Sequence, residues 1–206
     1  MIVVDPENPR GIVWLPSYPK SGNTWVRAFI YALLRVQAGD PPAAIDINEM
    51  NRFQRSELDP SIYARHLPGP IMSVDRALVA AARPRVHEDI AREARGLVLI
   101  KTHNARGTDH GHPLVNTRVS TGAIYVIRNP LDVAISFAKF QGVSIDRAIT
   151  DMATSSFGTN LSPTTLHTIF GTWSEHVESW TGREDPAVHV TRYEDMLEQP
   201  RETFAA

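Results

Sequence analysis

Four short apolar runs punctuate the chain: Ile12-Val13-Trp14-Leu15, Leu97-Val98-Leu99-Ile100, Ala123-Ile124-Tyr125-Val126-Ile127 and Ala187-Val188-His189-Val190. Each is continuous rather than alternating, as in strands covered on both faces. The stretches between them carry a helical period. From about Thr24 to Arg35 the residues Val26, Phe29, Ile30, Leu33 and Leu34 recur at steps of three and four, with Gly39 and Pro41-Pro42 closing the segment. A second helix is expected directly after the third run, with Asn129 as N-cap, Pro130 at its first position and Asp132 in its first turn. A third, with Phe170, Trp173, Val177 and Trp180 on one face, precedes the fourth run and ends near Gly182. Strands alternating with helices predict an α/β fold, a P-loop-like three-layer arrangement with a central parallel sheet flanked by helices. The segment 41–95, rich in proline, reads as short helices and turns laid over that sheet, shaping a substrate pocket.

Composition narrows this picture. The 206 residues are 42% apolar and 21% charged, which fits one globular domain and disfavours disorder or a repeat array. At this length a fold buries roughly 70% of its chain's surface, so no disulfide or structural metal is needed. With 21 Lys and Arg against 23 Asp and Glu, the net charge of −2 predicts no general attraction to nucleic acid or to an anionic membrane. Any bound anion must meet a local site. The absence of cysteine excludes thiol catalysis and cysteine-ligated zinc. No basic n-region, signal-like run or membrane-length apolar stretch is present, so a cytoplasmic protein is expected. After Gln199-Pro200 a new helical segment begins and the sequence ends within it, the expectation being a single domain over 1–206 whose C-terminal part is missing.

Between the first strand and first helix lies Tyr18-Pro19-Lys20-Ser21-Gly22-Asn23-Thr24-Trp25. Backbone N–H groups in such a turn converge, and the unpaired N–H groups of the following helix add to them, so a phosphate there needs few charged side chains. Lys20 supplies one full positive charge, Gly22 permits close approach, and Ser21, Asn23 and Thr24 bring short polar groups to the rim. The ATP-type loop places its lysine after the second glycine, whereas here the lysine precedes the single glycine. A polar β-to-α connection with an ordinary cap would use similar residues. A second strand-to-helix junction holds Arg128 at a strand end and Ser136 two turns into the helix, compatible with a shared phosphate; Arg-Asn-Pro is also good local structure whatever it binds. His103, in Ile100-Lys101-Thr102-His103, lies just past the second strand, at the edge where parallel α/β folds build their sites.

These segments resemble those of the sulfotransferases that use 3′-phosphoadenosine 5′-phosphosulfate (PAPS). The family's loop reads Tyr-Pro-Lys-Ser-Gly-Thr-Thr-Trp and departs from this sequence only at Asn23. Its 3′-phosphate segment, Arg-Asn-Pro-x-Asp-x-x-x-Ser, matches Arg128 to Ser136, and Lys101-Thr102-His103 matches its base-bearing strand end. Arg192-Tyr193-Glu194-Asp195-Met196 is similar to its Tyr-Glu-Asp-Met segment. The resemblance implies a catalytic set of His103 as general base, Lys20 on the leaving oxygen and Lys101 on the sulfuryl oxygens, with no metal required. It implies that Lys20, Ser21, Gly22, Asn23, Thr24, Trp25, Arg128, Ser136 and Tyr193 bind PAPS, with Trp25 on the base and Tyr193 beside the adenine; a tyrosine anchoring a strand end is the alternative for Tyr193. The function implied is in-line transfer of a sulfuryl group from PAPS to a hydroxyl or amine of a small-molecule acceptor. A P-loop nucleotide kinase and a non-catalytic nucleotide-binding or interaction module are the alternatives. The family's later Arg-Lys-Gly-x-x-Gly-Asp-Trp segment does not occur in these residues, which implies a chain that binds PAPS weakly or not at all and is short of the family's full activity. The acceptor is not readable; its pocket is expected within Ile45 to Leu67 and Phe137 to Leu161. His110 and His112 in a glycine-flanked loop, and Glu175 and His176 on a packing helix, are assigned no function.

Overall fold

The computed structural model describes residues 11–46, 48–50, 55–94, 96–182, 185 and 187–205. Its central sheet has strands β1 (Gly11–Pro16), β2 (Arg55–Ser56), β3 (Leu97–Thr102), β4 (Ser120–Ile127) and β5 (Val188–Arg192) in the spatial order β2-β3-β1-β4-β5. Every pairing is parallel. The four long strands coincide with the four apolar runs. The fifth, β2, is a two-residue edge strand in the proline-rich segment, too short to leave a pattern in the sequence.

Helices cover both faces. On one, Ile12, Trp14, Ile100, Ala123 and Tyr125 pack with Val79, Ala82, Val86 and Ile90 and with Trp180 into the largest core cluster. On the other, Val126 packs with Val26 and Met196. Neighbours on β4 therefore point to opposite layers, as the pleat requires. The three-layer expectation holds, and the layers come from helices α1 (Asn23–Gln37), α2 (Arg76–Glu93), α3 (Pro130–Gln141), α4 (Ile145–Met152), α5 (Trp173–Thr181), α6 (Tyr193–Glu198) and α7 (Pro200–Ala205).

The segment 41–95 corrects the expectation of short helices and turns, because most of its second half is the 18-residue α2. Asp75 caps that helix through Ala77 N–H, and Pro84 lies in its interior. An interior proline costs roughly 3 kcal/mol relative to alanine. The helix nonetheless persists because it buries Val79, Ala80, Ala82, Val86 and Ile90 against the sheet. It also buries Arg83 and His87 there. His87 pairs with the buried Glu57 at 2.9 Å, and Arg83 approaches His167 at 3.4 Å.

Register places the site. Pro16 pairs with Thr102, Ser17 bridges to Val126, and Ile127 pairs with Arg192. The carboxyl ends of β1, β3, β4 and β5 thus reach one edge of the sheet together. The segments leaving them are 17–22, 103–106, Arg128-Asn129 and Tyr193, which hold Lys20, Ser21, Gly22, His103, Arg128 and Tyr193, while Lys101 lies within β3, Asn23, Thr24 and Trp25 open α1 and Ser136 lies on α3.

Candidate active site

The turn from β1 into α1 is built to leave donors open. Ser21 N–H donates to Tyr18 at 3.2 Å, while Trp25 and Val26 N–H both turn back to the Gly22 carbonyl. The N–H groups of Lys20, Gly22, Asn23 and Thr24 reach no backbone carbonyl among the described residues. Lys20 has φ +70° and Gly22 φ +103°, so two left-handed residues in a three-residue span shape the turn. A Cβ on Gly22 would collide with Tyr193 Cδ2, so glycine lets that ring lie against the loop.

Asn23 takes an inward position rather than the rim. Its Nδ2 donates to the Leu15 carbonyl at 2.7 Å and ties the loop to β1. The Ser21 hydroxyl and Asn23 Oδ1 are buried without a hydrogen-bond partner among the described residues. Thr24 is exposed at the helix start. Trp25 is half-buried, edge-on to Tyr193 at 5.9 Å and to Phe204 at 6.3 Å.

Arg128 joins the second junction to this loop. Its Nη1 donates to the Lys20 carbonyl at 3.1 Å, and its guanidinium lies 4.1 Å over the Tyr193 ring. The bond holds the left-handed Lys20 peptide, while Arg128 Nε stays buried without a protein partner among the described residues. Asn129 caps α3 through Leu131 N–H, as expected, and its own N–H donates to Glu194 on α6. Ser136 and Phe140 are four residues apart on α3 and so share a face. Lys20 Nζ lies 4.4 Å from the Phe140 ring centre, which turns that face toward the loop.

The third group stands at the end of β3. His103 Nδ1–H donates to the Ser17 carbonyl at 2.7 Å, one residue before the anion loop begins. A carbonyl only accepts, so the proton sits on Nδ1 and the lone pair on Nε2. Burial, and then the charge of Lys101, push the imidazole down to about 3, with the bond to Ser17 acting in the opposite direction. Burial followed by the charges of Arg27 and Lys20 pushes the Lys101 ammonium down to about 8. His103 is therefore neutral at neutral pH, close to the cationic Lys101 and Arg27.

The flanks of His103 are held tightly. Asn104 donates to Glu57 at 3.2 Å, accepts from Ile169 N–H at 2.9 Å, and receives Trp180 Nε1–H on its carbonyl at 3.1 Å. Burial alone would raise the Glu57 carboxyl, but hydrogen bonding to His87, the charges of His87 and Arg83, and a bond to Thr102 hold it below the usual range. Sequence reasoning missed this bracing, and it missed Arg27, which is 7% exposed on α1 and acts electrostatically on both Lys101 and His103. It also left His176 unassigned, although that side chain is fully buried and its Nε2 lies 3.2 Å from the His103 carbonyl. An arginine or histidine inside a helical pattern leaves no signal in the sequence beyond its polarity. His110 is exposed in its turn and joins none of these groups.

The geometry thus gathers the turn after β1, Arg128 and a neutral histidine at one sheet edge. Sulfotransferase 4A1 from mouse and from human is 26% identical to this chain over 192 residues, covering 89% of it and 54% of the relative. The chain spans about half the length of the curated relatives it matches. Among solved structures, retinol dehydratase with androsterone and the inactive cofactor PAP aligns at a TM-score of 0.53 and 19% identity, over 94% of this chain and 57% of the other. Its complex with retinol and PAP gives the same TM-score and identity, over 96% and 58%. That likeness is one of fold. A family model described as the sulfotransferase domain matches residues 11–205, a span that takes in all five strands and every segment at the site edge, and the chain belongs to that family.

Proposed function

We propose that this chain carries the donor loop and the general base of a PAPS-dependent sulfotransferase. The observation that carries the reading is the 2.7 Å bond between His103 Nδ1 and Ser17, which sets a neutral imidazole beside the anion loop. The donor fits the residues present. Open N–H groups at Lys20, Gly22, Asn23 and Thr24, together with the buried Ser21 hydroxyl, suit the 5′-phosphosulfate end. The unpartnered Nε of Arg128, with Ser136, suits the 3′-phosphate, and Trp25 and Tyr193 offer aromatic surface to the adenine. When bound, PAPS supplies the sulfuryl group, whose bond to the 5′-phosphate oxygen breaks as the acceptor's oxygen or nitrogen bonds to sulfur.

His103 Nε2 accepts the acceptor's proton as that bond forms. Lys20 neutralises the charge that develops on the oxygen leaving with the nucleotide, and Lys101 and the loop N–H groups stabilise the sulfuryl oxygens. Positive charge from the side chains and the helix N-terminus serves this step without calling on a metal. The acceptor is a small molecule bearing a hydroxyl or amine. Retinol dehydratase binds androsterone and retinol, both apolar alcohols, and in this chain Phe170 lies edge-on to His103 at 6.3 Å, an apolar wall beside the base.

Labelled-sulfate transfer from PAPS to a panel of alcohols, phenols and amines tests the reading. Transfer should occur and should vanish in His103→Ala, with binding of 3′-phosphoadenosine 5′-phosphate (PAP) retained. ATP binding tighter than PAP, or transfer unchanged in His103→Ala, would refute it.

A further inference from the structure

We propose that His176 is a positioning residue for His103, holding the base's backbone from α5 so that Nε2 faces the reacting atoms. The inference rests on His103 being the base. Three donor–acceptor pairs join α5 to the turn after β3: His176 Nε2–H to the His103 carbonyl at 3.2 Å, Trp180 Nε1–H to the Asn104 carbonyl at 3.1 Å, and Arg106 N–H to Ser179 Oγ at 3.0 Å. Only the first acts on the base residue itself.

The tautomer of His176 follows from its partners. Nε2 faces a carbonyl and so carries the proton, which leaves Nδ1 to accept from the Tyr125 hydroxyl at 2.9 Å. Both rings are fully buried, and they stack at 5.7 Å with 28° between their planes. Burial pushes the His176 imidazole down to about 4, so the donor on Nε2 and the acceptor on Nδ1 persist across the neutral range. Tyr18, the first residue of the anion loop, packs edge-on to the same ring at 5.4 Å. His176 therefore touches the donor loop through its face and the base through its Nε2–H. A phenylalanine would fill this space as well, so the two polar ends need a separate reason. The reason is the carbonyl of His103: fixing it fixes the peptide from which the imidazole projects.

The test compares side chains that do and do not reach that carbonyl. Glutamine places its amide donor near the position of Nε2, whereas asparagine places its own near Nδ1, short of His103. In His176→Phe and His176→Asn, turnover should fall about 10- to 100-fold with PAP affinity within about twofold of the parent, because misplacing a reacting group by about 1 Å costs on this scale. In His176→Gln it should recover to within about threefold. Nitrogen NMR of the His103 ring adds a readout independent of turnover. The parent and His176→Gln should show the single Nδ1–H tautomer, and His176→Asn a mixture with an apparent pKa moved up toward the ordinary histidine value. Equal turnover and equal ring spectra for the Gln and Asn variants would overturn the proposal, and this pair decides it even if His176→Phe does not fold. Absence of transfer in the parent would instead strike the proposed function, leaving the ring spectra to judge His176.

Discussion

The two loops that meet at the sheet edge are satisfied to very different degrees. Around His103, the Asn104 side chain, the carbonyls of His103 and Asn104, and the His103 Nδ1–H all have protein partners at 2.7–3.2 Å. Around the anion loop, the Ser21 hydroxyl, Asn23 Oδ1 and Arg128 Nε are buried without partners among the described residues, and four successive or near-successive N–H groups meet no backbone carbonyl. Buried polar groups left unpaired cost about 1–3 kcal/mol each. Around His103 and Asn104 the polar groups are paired, and the orphaned atoms on that side lie further back, on Arg83 and His87. His103 is closed in by protein partners, whereas the turn after β1 and Arg128 keep donors and acceptors open. Substitutions on the first side should therefore damage rate or stability, and substitutions on the second should damage affinity.

The largest expected effect is His103→Ala, with transfer down about 10³-fold and PAP affinity within about twofold. A parallel loss of affinity would show the two loops to be one unit. Asn104→Ala should cost about 2–4 kcal/mol in chemical denaturation, since it strands Ile169 N–H and removes a donor from the buried Glu57. Ser21→Ala, which removes a hydroxyl with no protein partner among the described residues, should leave stability unchanged or raised. If the two variants changed stability alike, the contrast would collapse.

Arg128→Ala should weaken PAP about 10- to 100-fold in calorimetric titration, the loss of charge-assisted bonds to a phosphate. Acid should then act on the buried base side. His103 and His176 stay neutral in the folded chain down to about 3 and about 4, while in the unfolded chain they take up protons near the ordinary value. Their contribution is therefore complete well above the ordinary histidine pKa and is lost as pH falls below it, by about 2 kcal/mol for each at pH 5 relative to pH 8. Denaturation midpoints in His176→Gln should show a shallower acid slope than in the parent. The smallest effect belongs to Lys101, whose ammonium is held at about 8. Phosphate binding should draw it back to the charged form, so PAP binding near pH 8.5 should take up a fraction of a proton. Calorimetry in buffers of differing ionisation heat reads that uptake, and Lys101→Met should abolish it.

Much of this was legible in the residues. Continuous apolar runs marked the four long strands, and Asn129 with Pro130 marked the start of α3 where its cap is found. Helix α2 was hidden because Pro84 interrupts it and because Arg83 and His87 point inward, paired with partners far away in sequence. At the site, Lys20, His103 and Arg128 stand out because they lie in turns after strands, where a polar residue has few structural duties, and Lys101 because it breaks the apolar run of β3 near its end. Arg27 and His176 sit on helices, where a polar side chain reads as solvent-facing until the opposing surface is known. The inward turn of Asn23 was equally unreadable, since it answers the Leu15 carbonyl, a partner set by the strand's end rather than by a pattern.

On the proposed function, the ends of β1 and β4 together bind a nucleotide phosphorylated at both its 3′ and 5′ positions. Titrating the chain with PAP and with ADP, followed by amide NMR, tests it most directly. PAP should shift the N–H signals of Lys20, Gly22, Asn23, Thr24 and Arg128 and bind about tenfold or more tighter than ADP, a preference that Arg128→Ala erases. Equal binding of the two nucleotides, or PAP-induced shifts confined to other segments, would contradict the account.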